Sequence, residues 1–185
     1  AYREVFFPAS FTPWKITINS SLKNHVRGLT YIQNYRMLRK AGQREINMIR
    51  EWEYFNGRTA WDRNYVKLLN PKAKYFHCNE LLRHEFYQHQ WSPPPRRKKE
   101  IVIGSTMNPN LYKGLDLIYK TLPLLKGYHV QWNIFGIRES EPLNKTVKKI
   151  LKIQPGHDIR FHGQVDAPNM IAALKACHFF VHPSY

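Results

Sequence analysis

Ile101-Val102-Ile103-Gly104-Ser105-Thr106-Met107-Asn108-Pro109-Asn110-Leu111-Tyr112-Lys113-Gly114 decides how the chain is read. Three consecutive β-branched apolar residues predict a short buried strand, ending at Gly104-Ser105. Helical spacing follows from Tyr112 to Leu125, with Leu115, Ile118, Leu122 and Leu125 on one face and Pro123 ending or kinking the helix. The unit then recurs. Val130 to Phe135 predicts a second strand ending at Gly136, and Leu143 to Ile153 a lysine-rich amphipathic helix. Ile159 to His162 predicts a third strand ending at Gly163, and Asp166 is placed to cap a helix through Met170 and Leu174 to Ala176. Phe179 to Val181 reads as a fourth, buried strand. Such alternation with short loops predicts a parallel, doubly wound sheet with right-handed crossovers.

Upstream the pattern is less regular. Ser92-Pro93-Pro94-Pro95-Arg96-Arg97-Lys98-Lys99 is stiffened by proline and solvated by charge, and reads as a linker rather than a nucleic-acid or lipid patch. It divides the chain into residues 1–92, a linker at 93–99 and residues 100–185. In the first part, Trp14 to Ile18 predicts a strand. Leu29 to Trp52 predicts a long basic helix that Gly42 could divide. Strands at Glu53 to Gly57 and Lys74 to His77 flank a helix from Ala60 to Leu69, and Glu80 to His89 predicts one more helix. No internal repeat or low-complexity tract is present.

Composition narrows the class. The 185 residues are 43% hydrophobic and 14% aromatic, enough for a real core. The formal net charge is +16. It is spread evenly: 15 Lys/Arg against 7 Asp/Glu in 1–95, and 14 against 6 in 96–185, so +8 in each half. Such charge suits nucleic acid, a phospholipid surface or phosphorylated small molecules, or is a plain solvated surface. No apolar run approaches the ~20 residues of a membrane span, and no signal-peptide pattern is seen. Cys78 and Cys177, both in apolar segments, read as reduced core residues of a cytoplasmic protein. His77, Cys78, His84 and His89 fall on different elements and have no metal-ligand spacing. No serine lies in a nucleophile elbow.

In a parallel sheet the carboxyl ends of the strands form the ligand crevice. Gly104, Ser105, Gly136, His162, Gly163, Gln164 and Ser184 all lie at such ends. Lys113, at the start of a helix after a glycine-bearing loop, adds charge suited to a phosphate or diphosphate. The loop is neither a P-loop nor a G-x-G-x-x-G fingerprint, and a tight turn with an exposed lysine is the competing reading. Arg58 and Thr59 follow another strand end. Arg58 could grip a phosphate bidentately; equally, Thr59 could be an N-cap with Arg58 paired to Asp62. His162 reads as a ligand donor or a structural histidine.

These pieces resemble the nucleotide-sugar-binding domain of GT-B glycosyltransferases of the group 1, family 4 type. The resemblance rests on Gly104 after an apolar strand, Lys113-Gly114, Ile134-Phe135-Gly136, Ile159-Arg160-Phe161-His162-Gly163, and Ala176-Cys177-His178-Phe179-Phe180-Val181-His182-Pro183-Ser184, in family order. Gly57-Arg58-Thr59-Ala60-Trp61-Asp62 and Glu80-Leu81-Leu82-Arg83 resemble the end of the acceptor domain in bacterial surface-polysaccharide members. The resemblance implies an α/β fold of two Rossmann-like lobes facing a cleft, both incomplete here. It implies a retaining transferase that uses no metal or other cofactor and moves a sugar from a nucleotide-sugar donor to a saccharide or lipid-linked acceptor. Lys113 is then the donor-diphosphate lysine, Gly104 lies near the donor phosphates, His162-Gly163-Gln164 near the base, and Ser184 just before a pair of donor-binding glutamates.

Ser105 stands where the family often has arginine. The two glutamates would follow Tyr185, so these residues are expected to be an inactive central piece of a longer enzyme that holds no catalytic residue itself. A cytoplasmic location, with contact to the anionic inner face of a membrane and no nucleic acid, completes the expectation. A basic nucleic-acid-binding module, disfavoured by the even scatter of charge, and a non-catalytic interaction domain are the alternatives.

Overall fold

The computed structural model describes residues 11–20, 22, 31–95, 100–153 and 158–184. The expected helix start at Leu29, the basic run 96–99 and Tyr185 lie outside them. The fold is mixed α/β with two parallel sheets.

Among the described residues the first elements are α1 (Pro13–Asn19) and α2 (Tyr31–Glu51). A small unit follows: β1 (Tyr54–Gly57), α3 (Ala60–Leu69) and β2 (Lys74–His77), with β1 and β2 paired in parallel. Phe55 and Tyr75 point to one face of this pair, against Ile49 of α2 and Val66 of α3. Helix α4 (His84–Tyr87) is a single turn, shorter than the expected 80–89 helix. Leu81 and Leu82 are exposed and find no core to hold a longer helix.

The larger unit runs β3 (Glu100–Thr106), α5 (Leu115–Thr121), β4 (His129–Phe135), α6 (Pro142–Leu151), β5 (Asp158–Gly163), α7 (Ala167–Ala176) and β6 (Phe179–Phe180). Pro123 sits in a 3-10 turn, Leu122–Leu125, that ends the helical stretch after α5. The strand order is β5-β4-β3-β6, all parallel. The first three strands wind one way and the fourth returns to the other side of β3. Ile103, Trp132 and Ile134 alternate onto one face with Leu115 and Ile118 of α5 and Leu143 and Val147 of α6, forming the main core. Burying each such side chain is worth about 1.5–3 kcal/mol. Helix α7 covers the opposite face: a Cβ at Gly104 would meet Cys177 Sγ at 2.9 Å.

Several local expectations are corrected. The stretch 14–18 is helical; Thr12 accepts from Lys15 N at 3.3 Å as its N-cap, and Pro13 opens the helix. Five residues of mixed polarity do not separate a period of 2 from 3.6, and the cap decides. Phe11 and Ile16 are fully buried and pack into the larger unit's core. The fourth strand is exposed, Phe179 at 44% and Phe180 at 51%, because β6 lies at the sheet edge. In addition, Gly42 does not interrupt α2, and Cys78 is exposed while Cys177 is buried.

Candidate functional site

Strands β4 and β6 flank β3 on opposite sides, so the winding reverses at β3, and the carboxyl ends of the strands there are where a crevice is expected. A cleft of about 440 Å³ lies there. Thr106, Asn108 and Lys113 line it from the β3 side, Gly136 and Gln164 from the ends of β4 and β5, and His182 from the loop after β6. A larger cavity of about 540 Å³ sits at the opposite end, among Glu100, Val102, His129 and Asp158. Strand amino ends surround that cavity, so the topology favours the smaller one.

Close backbone approaches fix the cleft's shape. Gly136 N donates to Gly163 O at 2.6 Å, Gly163 N to Ile137 O at 3.0 Å, and Met107 N to Phe135 O at 2.9 Å. A Cβ on Gly136 would overlap the Met107 carbonyl oxygen, so only glycine lets the post-β3 loop rest on the end of β4. Gly114 is left-handed at φ 73°, and a Cβ there would overlap the Pro183 carbonyl oxygen. That approach seats the loop carrying His182 against the turn carrying Lys113. The sequence placed these two glycines beside strand ends and helix starts, but the partner backbone is visible only in the fold.

Lys113 lies half-buried, its Nζ 5.3 Å from the Tyr112 ring centroid. Among the described residues no carboxylate pairs with it. The amides of Lys113 and Gly114 donate to Asn110 O and Leu111 O within a 3-10 turn. The charge offered to the cleft from this turn therefore comes from the lysine side chain.

Lys113, Gly136 and Gln164 are thus brought together in the lining of one cleft. His162 is not in the lining. It stacks on Phe135, centroids 4.7 Å apart, and its Nε2 lies 2.9 Å from Asn133 Oδ1. Asn133 Oδ1 already accepts from Gln131 Nε2, so the imidazole donates and its Nε2 carries the proton. His162 braces the cleft wall that Phe135 forms, and Gly163 shapes it through its backbone. Ser184 also stands behind the lining, its Oγ 2.8 Å from His182 Nε2.

Gly104 and Ser105 are inside β3, which continues to Thr106; the strand does not end at them. Ser105 is fully buried, its Oγ donating to Val181 O at 2.7 Å and accepting from Trp132 Nε1 at 3.0 Å. Gly104 makes room for Cys177 of α7. Burial raises the Cys177 thiol above its ordinary pKa, which suits a packing role. Sequence reading missed Thr106, Asn108 and His182. His182 could have been found as the polar residue directly after an apolar strand.

Arg58 and Thr59 belong to the small unit and do not line this cleft. Thr59 caps α3 in a reciprocal capping box: Asp62 N donates to Thr59 Oγ1 at 3.1 Å and Thr59 N to Asp62 Oδ2 at 3.0 Å. The Arg58 guanidinium pairs with Glu80, not with Asp62, which instead accepts from the Arg58 backbone N–H. Among the described residues no group of three His, Cys, Asp or Glu could hold a metal ion. Nor is any described helix long and apolar enough to cross a membrane.

Residues 88–185 match the family of glycosyl transferases, group 1. The match covers the whole four-stranded sheet and every residue lining the cleft. This chain belongs to that family. Among curated proteins, none matches it. The chemistry of this family is glycosyl transfer, which implies a nucleotide-sugar donor and an acceptor as substrates. In open α/β sheets generally, ligands bind in the crevice at the carboxyl ends of the strands where the winding reverses.

Proposed function

We propose that the cleft between Lys113 and His182 holds the diphosphate of the nucleotide-sugar donor. The observation carrying this reading is the convergence of two basic side chains, Lys113 and His182, on a cleft at the reversal of winding. A leaving nucleoside diphosphate gains negative charge as the glycosidic bond breaks, and fixed cationic and N–H groups stabilise that charge in the transition state. The Lys113 ammonium takes this part without a metal ion, and Asn108 and Gln164 add polar contacts. Gly136 lets the donor approach the backbone, Gly163 and His162 hold the Phe135 wall, and Ser184 orients His182. Gly104 and Ser105 act on the donor indirectly, by holding β3 against α7 and β6.

The finer reading is a retaining enzyme of family 4, in bacterial surface-polysaccharide synthesis, with a saccharide or lipid-linked acceptor. Residues 1–92 would contribute to the acceptor-binding lobe, including Arg58 and Thr59, 93–99 the linker, and 100–185 the donor lobe, in an enzyme working in the cytoplasm at the inner face of the membrane. The resemblance of the ordered motifs supports this; the anomeric configuration of the product would test it.

Titrating the chain with UDP, GDP and ADP by calorimetry tests the site. Lys113→Ala should weaken the best-bound diphosphate about tenfold or more, the worth of one charge-assisted contact. Unchanged affinity in Lys113→Ala would remove Lys113 from the donor site.

A further inference from the structure

We infer that Arg138 reads the base of the nucleotide-sugar donor and selects guanine over adenine. This rests on the reading of the cleft as the donor-diphosphate site and extends it to the other end of the nucleotide. The turn after β4 is laced to the end of β5: Gly136 N donates to Gly163 O at 2.6 Å and Gly163 N to Ile137 O at 3.0 Å. Arg138 then lies across Gly163. A Cβ built on Gly163 would meet Arg138 Cγ at 3.1 Å and Nε at 3.4 Å. The bare glycine thus seats the arginine next to Gln164, which lines the cleft. Arg138 is exposed, and among the described residues no carboxylate pairs with it. The adjacent Glu139 is taken by Lys148 at 2.9 Å.

The cations around the crevice come from two sides. Lys113 and His182 follow β3 and β6, whereas Arg138 follows β4 and rests on the end of β5. Paired strands lie about 4.8 Å apart, so β5 is about 10 Å from β3, too far for one phosphate to join both cations. Met107, Phe135, Val165 and Met170 give the lining apolar surface, which suits the flat face of a base. A nucleoside diphosphate held at Lys113 and laid over that surface brings the edge of its base to Arg138, which flanks the lining. A guanidinium offers donors in a fixed fork and no acceptor. Guanine presents O6 and N7 as adjacent acceptors that match this fork. Adenine places an amino donor beside N7, and uracil presents the single O4 acceptor. The donor class recognised is therefore a guanosine diphosphate sugar.

The test is calorimetric titration of the 185-residue chain and its variants with GDP, UDP and ADP. Wild type should bind GDP about tenfold or more tighter than ADP, the discrimination of one bidentate pair, with UDP between them. Arg138→Gln should bring the GDP to ADP ratio close to one by weakening GDP alone. Arg138→Lys keeps the charge without the fork and should also lose most of the ratio. Lys113→Ala should weaken all three nucleotides alike and leave the ratio as in wild type. A wild-type preference for ADP, or a ratio unchanged in Arg138→Gln, would overturn the assignment. So would an equal loss of all three nucleotides in Arg138→Gln, which marks a phosphate contact instead. Absence of binding by all three, or insensitivity to Lys113→Ala, would instead remove the donor-diphosphate reading of the cleft and this inference with it.

Discussion

Gly114→Ala tests how the cleft is assembled. The backbone there is left-handed, which costs a non-glycine residue about 1–2 kcal/mol. The new methyl would also overlap the Pro183 carbonyl oxygen. Restoring van der Waals separation requires the loop after β6 to retreat by roughly 1.5 Å. That loop carries His182 to the cleft and Ser184 behind it. A shift of about 1 Å in a positioning element can lower a rate on the order of 100-fold, and loss of one charge-assisted contact lowers affinity about tenfold.

Gly127→Ala separates backbone strain from loop displacement. Gly127 has φ 94°, with nothing within 4 Å of a built Cβ. Gly127→Ala should lose about 1–2 kcal/mol in urea unfolding, and Gly114→Ala at least as much. Only Gly114→Ala should lose nucleoside-diphosphate affinity by calorimetry, about tenfold. Wild-type affinity in Gly114→Ala, or an equal loss in Gly127→Ala, would refute the claim that the Gly114–Pro183 approach sets the site.

Two further outcomes follow from the packing. Tyr119 Oη donates to Asn144 Oδ1 at 2.5 Å in a buried site, and Asn144 Nδ2 reaches Glu139 O at 2.9 Å, joining α5 to α6. Burial, with the charge of Glu139, pushes the Tyr119 hydroxyl far above its ordinary pKa, so it stays protonated and donating. Tyr119→Phe should cost about 1–3 kcal/mol in urea unfolding and leave diphosphate affinity unchanged. The Asp62 carboxyl is held below the usual aspartate range by the Thr59 side chain, with help from the backbone N–H groups of Arg58 and Thr59. Its folded pKa lies below its unfolded value, so its stabilisation is present above the unfolded pKa of about 3.9 and is lost as pH falls through the folded one. The stability gap between wild type and Asp62→Asn should hold from pH 8 to about pH 5 and shrink below about pH 4 in thermal unfolding.

Much of the fold was legible because its signals are local and repeated. Ile101 to Ile103 is an apolar run, Val130 to Phe135 and Ile159 to Phe161 alternate apolar with polar residues, and segments of helical spacing separate them. Asp166 and Thr59 announced helix starts through their side chains alone, and both do cap helices. What failed locally was short or marginal. Trp14 to Ile18 carries too few residues for a period to emerge. The helix foreseen over 80–89 lacks a core contact along most of its length.

The cleft was legible as a set of strand ends but not as a set of side chains. The sequence by itself determined a parallel, doubly wound sheet, a crevice at its carboxyl ends and a lysine in the segment that follows its first strand. Pattern and turn chemistry are properties of neighbouring residues, so they can be read along the chain. Only the tertiary structure decided which residues face the crevice. Pairing of β3 with β4 and β6 turned Ser105 inward to Trp132 and Val181, and Gly104 onto Cys177. The contact of Gly114 with Pro183 brought His182 beside a lysine 69 positions earlier in the chain. The physical reason is that side-chain direction at a strand end depends on register and on the neighbour's backbone, which the residue types of one segment do not encode.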